Sequence, residues 1–344
     1  MPRVDGQPAV LEVRNLCVDL GIGGRWIRAL DDVSLDVRAG EALGLVGESG
    51  SGKSLTALSI PGLLPGNARA VGGSIRLMGE EILGRSEPEL NRLRTRSVAF
   101  IFQNPTTFLN PVLTVGEQIA EIFDLSPELL DAPSPGAPPS RRERRRQAWQ
   151  RSVEYLRLVR IPDPDRIARE YPFELSGGMQ QRAVIAMALA RRPHLVIADE
   201  ITTALDVTVQ AQILGLLSEL RRSVGMTLLL ITHDMGIVAR LADRVAVMYA
   251  GTVVESADVR SLFREARHPY AQALLEAVPT IRGDRTIFRA IPGAMPALSD
   301  PPPGCRFHPR CPRALAECAA VRPAPVLAGA DHAVSCHLYG GSPG

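Results

Sequence analysis

The segment Gly47-Glu48-Ser49-Gly50-Ser51-Gly52-Lys53-Ser54 fits the spacing G-x-x-x-x-G-K-[ST]. Glycines at 47, 50 and 52 free the backbone to curl around Ser49, so that successive N–H groups point inward at an anion. A helix starting at the loop adds its positive N-terminal end. Lys53 would then reach the β- and γ-phosphates of a nucleotide, and the Ser54 hydroxyl would ligate Mg²⁺. The flanks agree: Glu41 to Val46 reads as a short buried strand and Leu55 to Leu64 as a helix. That context separates the segment from a glycine-rich turn with a chance lysine.

A second candidate lies about 145 residues further on. The apolar residues Leu195 to Ala198 lead into Asp199 and Glu200. An acid at the carboxyl end of a buried parallel strand sits on the edge where α/β sheets bind ligands. There Asp199 can hold Mg²⁺, directly or through water, and Glu200 can polarise an attacking water. Acidic pairs also cap strands, and only the preceding phosphate loop lifts this pair above that reading.

These residues need a frame, and the hydrophobic pattern supplies one. Ala9 to Leu20 and Ala29 to Val37 alternate around a Gly-rich turn, which predicts an antiparallel hairpin. Cys17 within it reads as a buried apolar residue, and Trp26 near the turn either stacks on an adenine or simply packs. Short strands are expected at Gly73 to Gly79, Val98 to Phe102 and Met226 to Ile231. Helices are expected at Leu175 to Arg192, Val209 to Arg222 and Met235 to Ala242. Strands alternating with helices predict a parallel α/β core. From Thr114 to Leu158 the pattern is helical but broken by Ser126 to Ser140, which holds five prolines, and then by the basic run Arg141 to Arg146. Such a run can touch acidic lipid or nucleic acid. The helical continuation through Trp149, Val153 and Leu156 favours a solvated helix face.

Composition narrows the class. With 45% hydrophobic and 22% charged residues and a formal net charge of +2, the chain has no electrostatic footprint for nucleic acid. Apolar runs such as Ala42 to Val46 and Leu228 to Ile231 fall far short of the roughly 18 residues of a membrane span. The start, Met1-Pro2-Arg3-Val4-Asp5, lacks the apolar core of a secretory signal, so the expected compartment is the cytoplasm. At 344 residues two or three domains are expected.

About twenty residues before the acidic pair, Glu174-Leu175-Ser176-Gly177-Gly178-Met179-Gln180-Gln181-Arg182 resembles the signature motif of ATP-binding cassette proteins. A hydroxyl, two glycines and a helix N-terminus suit a second phosphate site. The resemblance implies further roles. Gln103 matches the Q-loop glutamine, which approaches Mg²⁺; Ala204-Leu205-Asp206 matches the D-loop; His233 matches the switch histidine, although a lone histidine after a strand is more often structural. On this basis Glu200, His233 and Gln103 form the catalytic set. The nucleotide set is Gly47, Ser49, Gly50, Gly52, Lys53, Ser54, Asp199, Ser176, Gly177, Gly178, Gln180 and Asp206.

The likeness is closest to ATPase subunits of oligopeptide and dipeptide importers. It is carried by Phe102 to Pro105, Leu109 to Glu117, His268-Pro269-Tyr270 and Gly304 to Pro312. It implies a P-loop cassette over residues 8–278, with an antiparallel β subdomain, a RecA-like parallel-sheet core and a helical subdomain at about 104–192. A Pro/Arg-rich insertion occupies about 126–146, and a small Cys-rich extension covers 279–344. The implied partners are a second cassette, identical or homologous, two membrane-spanning permeases and, indirectly, an extracytoplasmic peptide-binding protein. The implied place is the cytoplasmic face of the inner membrane. Two cassettes would pair head to tail, each signature closing the ATP held by the other's loop, and closure would pull on permease helices docked near Gln103. Ile201 stands where the family has proline and Asn104 where it has aspartate; no catalytic position is replaced.

Four of the five cysteines fall in the last forty residues, which in a reducing compartment points to metal rather than disulfides. Cys305, Cys311, Cys318 and Cys336 have five, six and seventeen residues between them, a spacing that matches neither zinc ribbons nor the ferredoxin run. Zinc, an iron–sulfur cluster and plain buried thiols therefore remain open on the residues. The family resemblance implies a [4Fe–4S] cluster with a bracing role. The same scaffold also fits importers of nickel, glutathione or another small solute. A cassette ATPase acting on ribosomes or DNA would predict two cassettes in one chain or a basic face. A purely structural or regulatory cassette is opposed by the complete catalytic set.

Overall fold

The computed structural model describes residues 9–130, 140–201, 206–278, 280–282, 285–287, 291–329 and 331–340. The chain forms two compact units, Met1–Leu90 together with Gly225–Gly344, and Asn91–Val224. The first begins with β1 (Ala9–Ile22), β2 (Arg25–Arg38), β3 (Ala42–Val46), α1 (Lys53–Ser59), β4 (Ala68–Leu77) and β5 (Glu80–Glu81). Helix α2 (Glu87–Arg96) spans the boundary. The second unit holds β6 (Val98–Ile101), α3 (Val115–Leu125), α4 (Arg141–Leu158), α5 (Pro164–Ile167), α6 (Gly177–Ala190), β7 (Leu195–Asp199) and α7 (Val207–Val224). The chain then completes the first unit with β8 (Leu228–Thr232), α8 (Met235–Leu241), β9 (Arg244–Tyr249), β10 (Thr252–Asp258), α9 (Val259–Glu265) and α10 (Pro269–Glu276). Last come β11 (Thr280–Arg282), β12 (Arg285–Ile287), β13 (Val326–Gly329) and β14 (His332–Val334).

In the first unit the expected hairpin forms: β1 pairs antiparallel with β2 and, on its other side, with β4. Its alternating residues Leu11, Val13, Leu16 and Val18 are fully buried, the period-2 pattern of a sheet with one covered face. Strand β3 lies parallel to both β8 and β9. Its five residues and those of β8 are all buried, as strands of a parallel sheet covered on both faces must be.

Helix α1 stops at Ser59 instead of running to Leu64. Pro61 has no N–H to continue the ladder, although Ile60 before it still keeps helical angles, φ −61° and ψ −53°. The sequence gives no sign of β13 and β14, which are too short to show a period. Strand β14 pairs antiparallel with β10, and β13 pairs with β14. Their acceptance is aided by Glu255 on β10, fully buried, which takes N–H bonds from Arg267 at 2.8 Å and His268 at 2.7 Å and faces His332 Nε2 at 2.6 Å. The tail also enters the core: Phe307 packs with Val247, Tyr249, Val254, Tyr270 and Leu274 in one buried cluster.

In the second unit β6 and β7 are parallel. Helix α3 opens with a capping box, Thr114 with Glu117. Gly116 lets α3 approach its neighbours, since a Cβ there would lie 2.6 Å from Ala168 O and 2.8 Å from the Trp149 ring. The basic run Arg141 to Arg146 forms the first turns of α4, with Arg141, Arg142, Arg145 and Arg146 exposed. Cations at a helix N-terminus oppose the macrodipole, and the Ser140–Glu143 capping box offsets this with an anion and two satisfied donors. The preceding proline-rich residues 131–139 lie outside the described residues.

In the first unit the turn after β9 is the tightest point. Gly251 has φ +82°, and a Cβ on it would stand 2.0 Å from the Ala29 carbonyl oxygen. Gly251→Ala is expected to destabilise the protein by about 2–4 kcal/mol. Urea unfolding followed by circular dichroism measures this, and an unchanged midpoint would show that the turn has room to spare.

Candidate active site

In the first unit, Val46 of β3 is in register with Thr232 of β8. The phosphate loop from Gly47 and the residue His233 therefore leave neighbouring strands at the same, carboxyl edge. The loop lies against the turn after β9: a Cβ on Gly47 would stand 2.1 Å from Met248 O and one on Gly52 2.7 Å from Leu30. Gly50 (φ +80°) and Gly52 (φ +104°) take the left-handed backbone that turns the loop into α1. Lys53, 5% exposed, donates to Gly47 O at 2.8 Å and Glu48 O at 2.9 Å. Its ammonium thus sits inside the curl, where a phosphate oxygen can take over from carbonyl oxygens. Ser49 and Ser54 are exposed at the mouth. The cradle leaves no room for a Cβ at Gly47 and holds the Lys53 ammonium, which fits a nucleotide phosphate with its Mg²⁺. His233 is exposed, and Asp234 after it caps α8 by accepting from Gly236 and Ile237 N–H.

Trp26, 49% exposed, has the Arg69 guanidinium over its ring at 4.0 Å from the centroid, a cation–π contact on the face of a ring considered for adenine stacking.

The second unit gathers its residues in the same way. Ile101 of β6 is in register with Ala198 of β7, so Gln103 and the pair Asp199–Glu200 leave the same strand ends. Gln103 Nε2 donates to Glu200 Oε2 at 3.4 Å. Glu200 adopts φ +47°, a backbone conformation uncommon outside glycine. Ile201, 3% exposed, anchors the turn from below in place of a proline. Asn104 does the work of the expected aspartate: its Oδ1 accepts from Thr106 N–H at 3.1 Å and Thr106 hydroxyl at 2.7 Å.

Ser176 is the N-cap of α6 and accepts from Met179 N–H at 3.4 Å. Gly177 and Gly178 form its first turn, with Gly178 so close to Val209 that a Cβ would meet it at 2.7 Å. Gln180 is turned inward, donating to Pro172 O at 2.8 Å and Leu175 O at 3.3 Å, so its amide braces the approach to the helix. Asp206 caps α7, accepting from Thr208 and Val209 N–H; Ala204 and Leu205 lie outside the described residues. Sequence reasoning passed over Gln118. Its buried amide accepts from Asn110 N–H and donates to Asn110 O and Leu113 O, locking the segment that follows Gln103.

Compared with known families, residues 30–203 match the ABC transporter family. The chain belongs to the ABC transporter family. This cassette also matches, over residues 254–318, the C-terminal region of oligopeptide/dipeptide transporters. It is 44% identical to the oligopeptide transport ATP-binding protein AppD of Bacillus subtilis, covering 96% of this chain and 97% of that one. It is 45% identical to the oligopeptide transport ATP-binding protein OppD of Escherichia coli, covering 92% and 89%. Among solved structures it is similar to the ATP-binding cassette MJ0796, seen as a dimer in a post-hydrolysis state with ADP and Pi. The TM-score is 0.60 and the identity 30%, over 73% of this chain and 99% of that one. The cassette is an ATPase of this family, with an α/β fold joining antiparallel and parallel sheets.

The tail cysteines Cys305, Cys311, Cys318 and Cys336 are free thiols. Burial pushes the Cys305 thiol up to about 11 and raises Cys311 and Cys336 as well, with the neighbouring Cys318 sulfur adding to each. Each sulfur accepts a backbone N–H: from Phe307 at Cys305, Arg313 at Cys311, Leu338 at Cys336 and Leu315 at Cys318. This donor set suits thiolates bound to a metal centre. Among the described residues, however, no three His, Cys, Asp or Glu side chains form a group that could hold a single metal ion.

Lys53→Ala leaves the phosphate loop without its only cation and is expected to weaken MgATP binding at least tenfold. Equilibrium dialysis with labelled ATP measures it; wild-type affinity would remove Lys53 from the site.

Proposed function

We propose that this cassette powers the uptake of di- and oligopeptides through separate membrane-spanning permeases. The observation that carries the reading is the joining, in one chain, of a match to the ABC transporter family and a match to the C-terminal region of oligopeptide/dipeptide transporters. The names of the relatives AppD and OppD support it. On this reading residues 8–278 are the cassette, with its helical subdomain at about 104–192 and the Pro/Arg-rich insertion at about 126–146, and residues 279–344 are the extension.

The roles follow from chemistry. Lys53 and the N–H groups of the loop take the β- and γ-phosphates, and Ser54, Gln103 and Asp199 are the residues that would hold Mg²⁺. When bound, that ion would supply positive charge that offsets the charge on the phosphates. Glu200 accepts a hydrogen bond from the attacking water, whose oxygen bonds to the γ-phosphorus as the bond to the ADP oxygen breaks. Gln103, within reach of Glu200, orients that carboxylate, and His233 donates to the γ-phosphate. Ser176, Gly177 and Gly178, with Asp206 nearby in sequence, serve the ATP of a second cassette, identical or homologous.

Two permease subunits would dock on the second unit, where Val112 (75% exposed) and Phe173 (70%) are apolar surface. A binding protein would deliver peptide from outside. Among the described residues no helix is long and apolar enough to cross a membrane, which agrees with a peripheral subunit on the cytoplasmic face. The thiols of Cys305, Cys311, Cys318 and Cys336, each with an N–H donor, would hold a [4Fe–4S] cluster.

With its permeases in proteoliposomes, Glu200→Gln is expected to retain bound ATP, lose hydrolysis at least a hundredfold and stop uptake of a labelled tripeptide. Undiminished uptake would overturn the role of Glu200, and wild-type protein that hydrolyses ATP but moves no peptide would overturn the substrate class. Anaerobically purified protein is expected to show the broad visible absorption of an iron–sulfur centre, lost in Cys305→Ser; a colourless preparation carrying zinc would refute the cluster.

A further inference from the structure

The phosphate loop carries an acid of its own. Glu48 follows Gly47, so its backbone belongs to the cradle while its carboxylate is a negative charge next to a site for polyphosphate. An unpaired carboxylate there would repel the ligand, and in partly buried surroundings the repulsion is only weakly screened.

Arg310 meets this charge from 262 positions away in sequence. Its Nη1 and Nη2 donate to the two Glu48 carboxylate oxygens at 2.8 and 3.1 Å, a bidentate pair. The Arg310 side chain is only 6% exposed. Its remaining donors are held too: Nε by Pro292 O at 2.8 Å, and Nη1 also by the Tyr249 hydroxyl at 3.4 Å. The guanidinium lies over the rings of Tyr249 and Phe307. Glu48 is gripped through its main chain as well, its N–H donating to the buried Tyr270 hydroxyl at 2.8 Å. That tyrosine belongs to His268-Pro269-Tyr270. His268 Nδ1 accepts from Tyr270 N–H at 3.0 Å, and burial holds the imidazole neutral, down to about 3. The other side of the loop is tied by Gly251 N–H to Ser51 O at 2.8 Å, with Arg306 of the tail donating to Ala250 O next to it.

We propose that Arg310 is a positioning residue of the phosphate loop, supplied within the same chain by the four-cysteine segment, and that it draws the Glu48 carboxylate away from the nucleotide phosphates while Tyr270 holds the Glu48 main chain. The tail is then part of the nucleotide site and not an appendage to it. This rests on the reading of Gly47 to Ser54 as the ATP cradle.

The test is a double-mutant cycle on the full-length chain, read as the Kd for Mg²⁺ with a non-hydrolysable ATP analogue. Arg310→Met keeps the stem over the aromatic rings and removes the charge. It is expected to raise Kd about tenfold or more with Glu48 present, and less than threefold with Glu48→Gln. Equal effects in both backgrounds, or none in either, would overturn the proposal and leave Arg310 a packing residue. Should Arg310→Met not fold, Arg310→Lys, which keeps the charge but loses the bidentate fork, is read in the same cycle with the same signs at a smaller size. Wild-type protein that fails to bind the analogue would instead sink the cradle reading.

Discussion

The phosphate loop lies tight against its neighbours, on main chain at Gly47 and on side-chain ends at Gly52. Gly47 faces Met248 O, Gly52 faces Leu30 and Met248, and Gly251 faces Ala29 O, each at a distance no Cβ allows. Hydrogen bonds run through the same contact, from Gly251 N–H to Ser51 O and from Asp31 N–H to Gly251 O. A polyphosphate site needs backbone N–H groups aimed at one point, and aim of that quality comes only from a loop that cannot relax. The strands β3, β8 and β9, buried except at Arg244, provide the fixed floor.

That floor extends into the tail. Phe307, between Cys305 and Cys311, is buried against Tyr249 and Tyr270 with ring centroids 5.1 and 5.4 Å away, and β14 completes β10 beyond it. A segment with so few long periodic stretches cannot bury enough apolar surface to fold by itself. Sharing a core with the cassette solves this, and it places Arg306 and Arg310 beside the loop and its neighbouring turn.

The second unit shows the same economy of polar groups. Asn104, Ser140, Ser176, Asp206 and Gln180 each satisfy backbone groups at turns or helix ends, and several of these are motif residues. A motif amide such as Gln180, turned to Pro172 and Leu175, holds the shape of a ligand-facing turn without itself pointing outward. Glu200 is the exception, at φ +47°, where a strand end turns sharply over buried Ile201.

Much was legible in the chain itself. The loop Gly47 to Ser54, the acids Asp199 and Glu200, the signature at Ser176 and the hairpin of β1 and β2 are local: spacing, alternation and glycine placement encode them, because each depends on neighbours within a turn or a strand. Element ends were less legible, as with α1 cut short at Pro61, and β13 and β14 were invisible because three or four residues carry no period. The pairing of Glu48 with Arg310, the Tyr270 hydroxyl under the loop and the burial of Phe307 belong to the tertiary structure alone. The Glu48 contacts join residues more than two hundred positions apart, and only the packing of β9, α10 and the tail around one aromatic cluster brings them within hydrogen-bonding range.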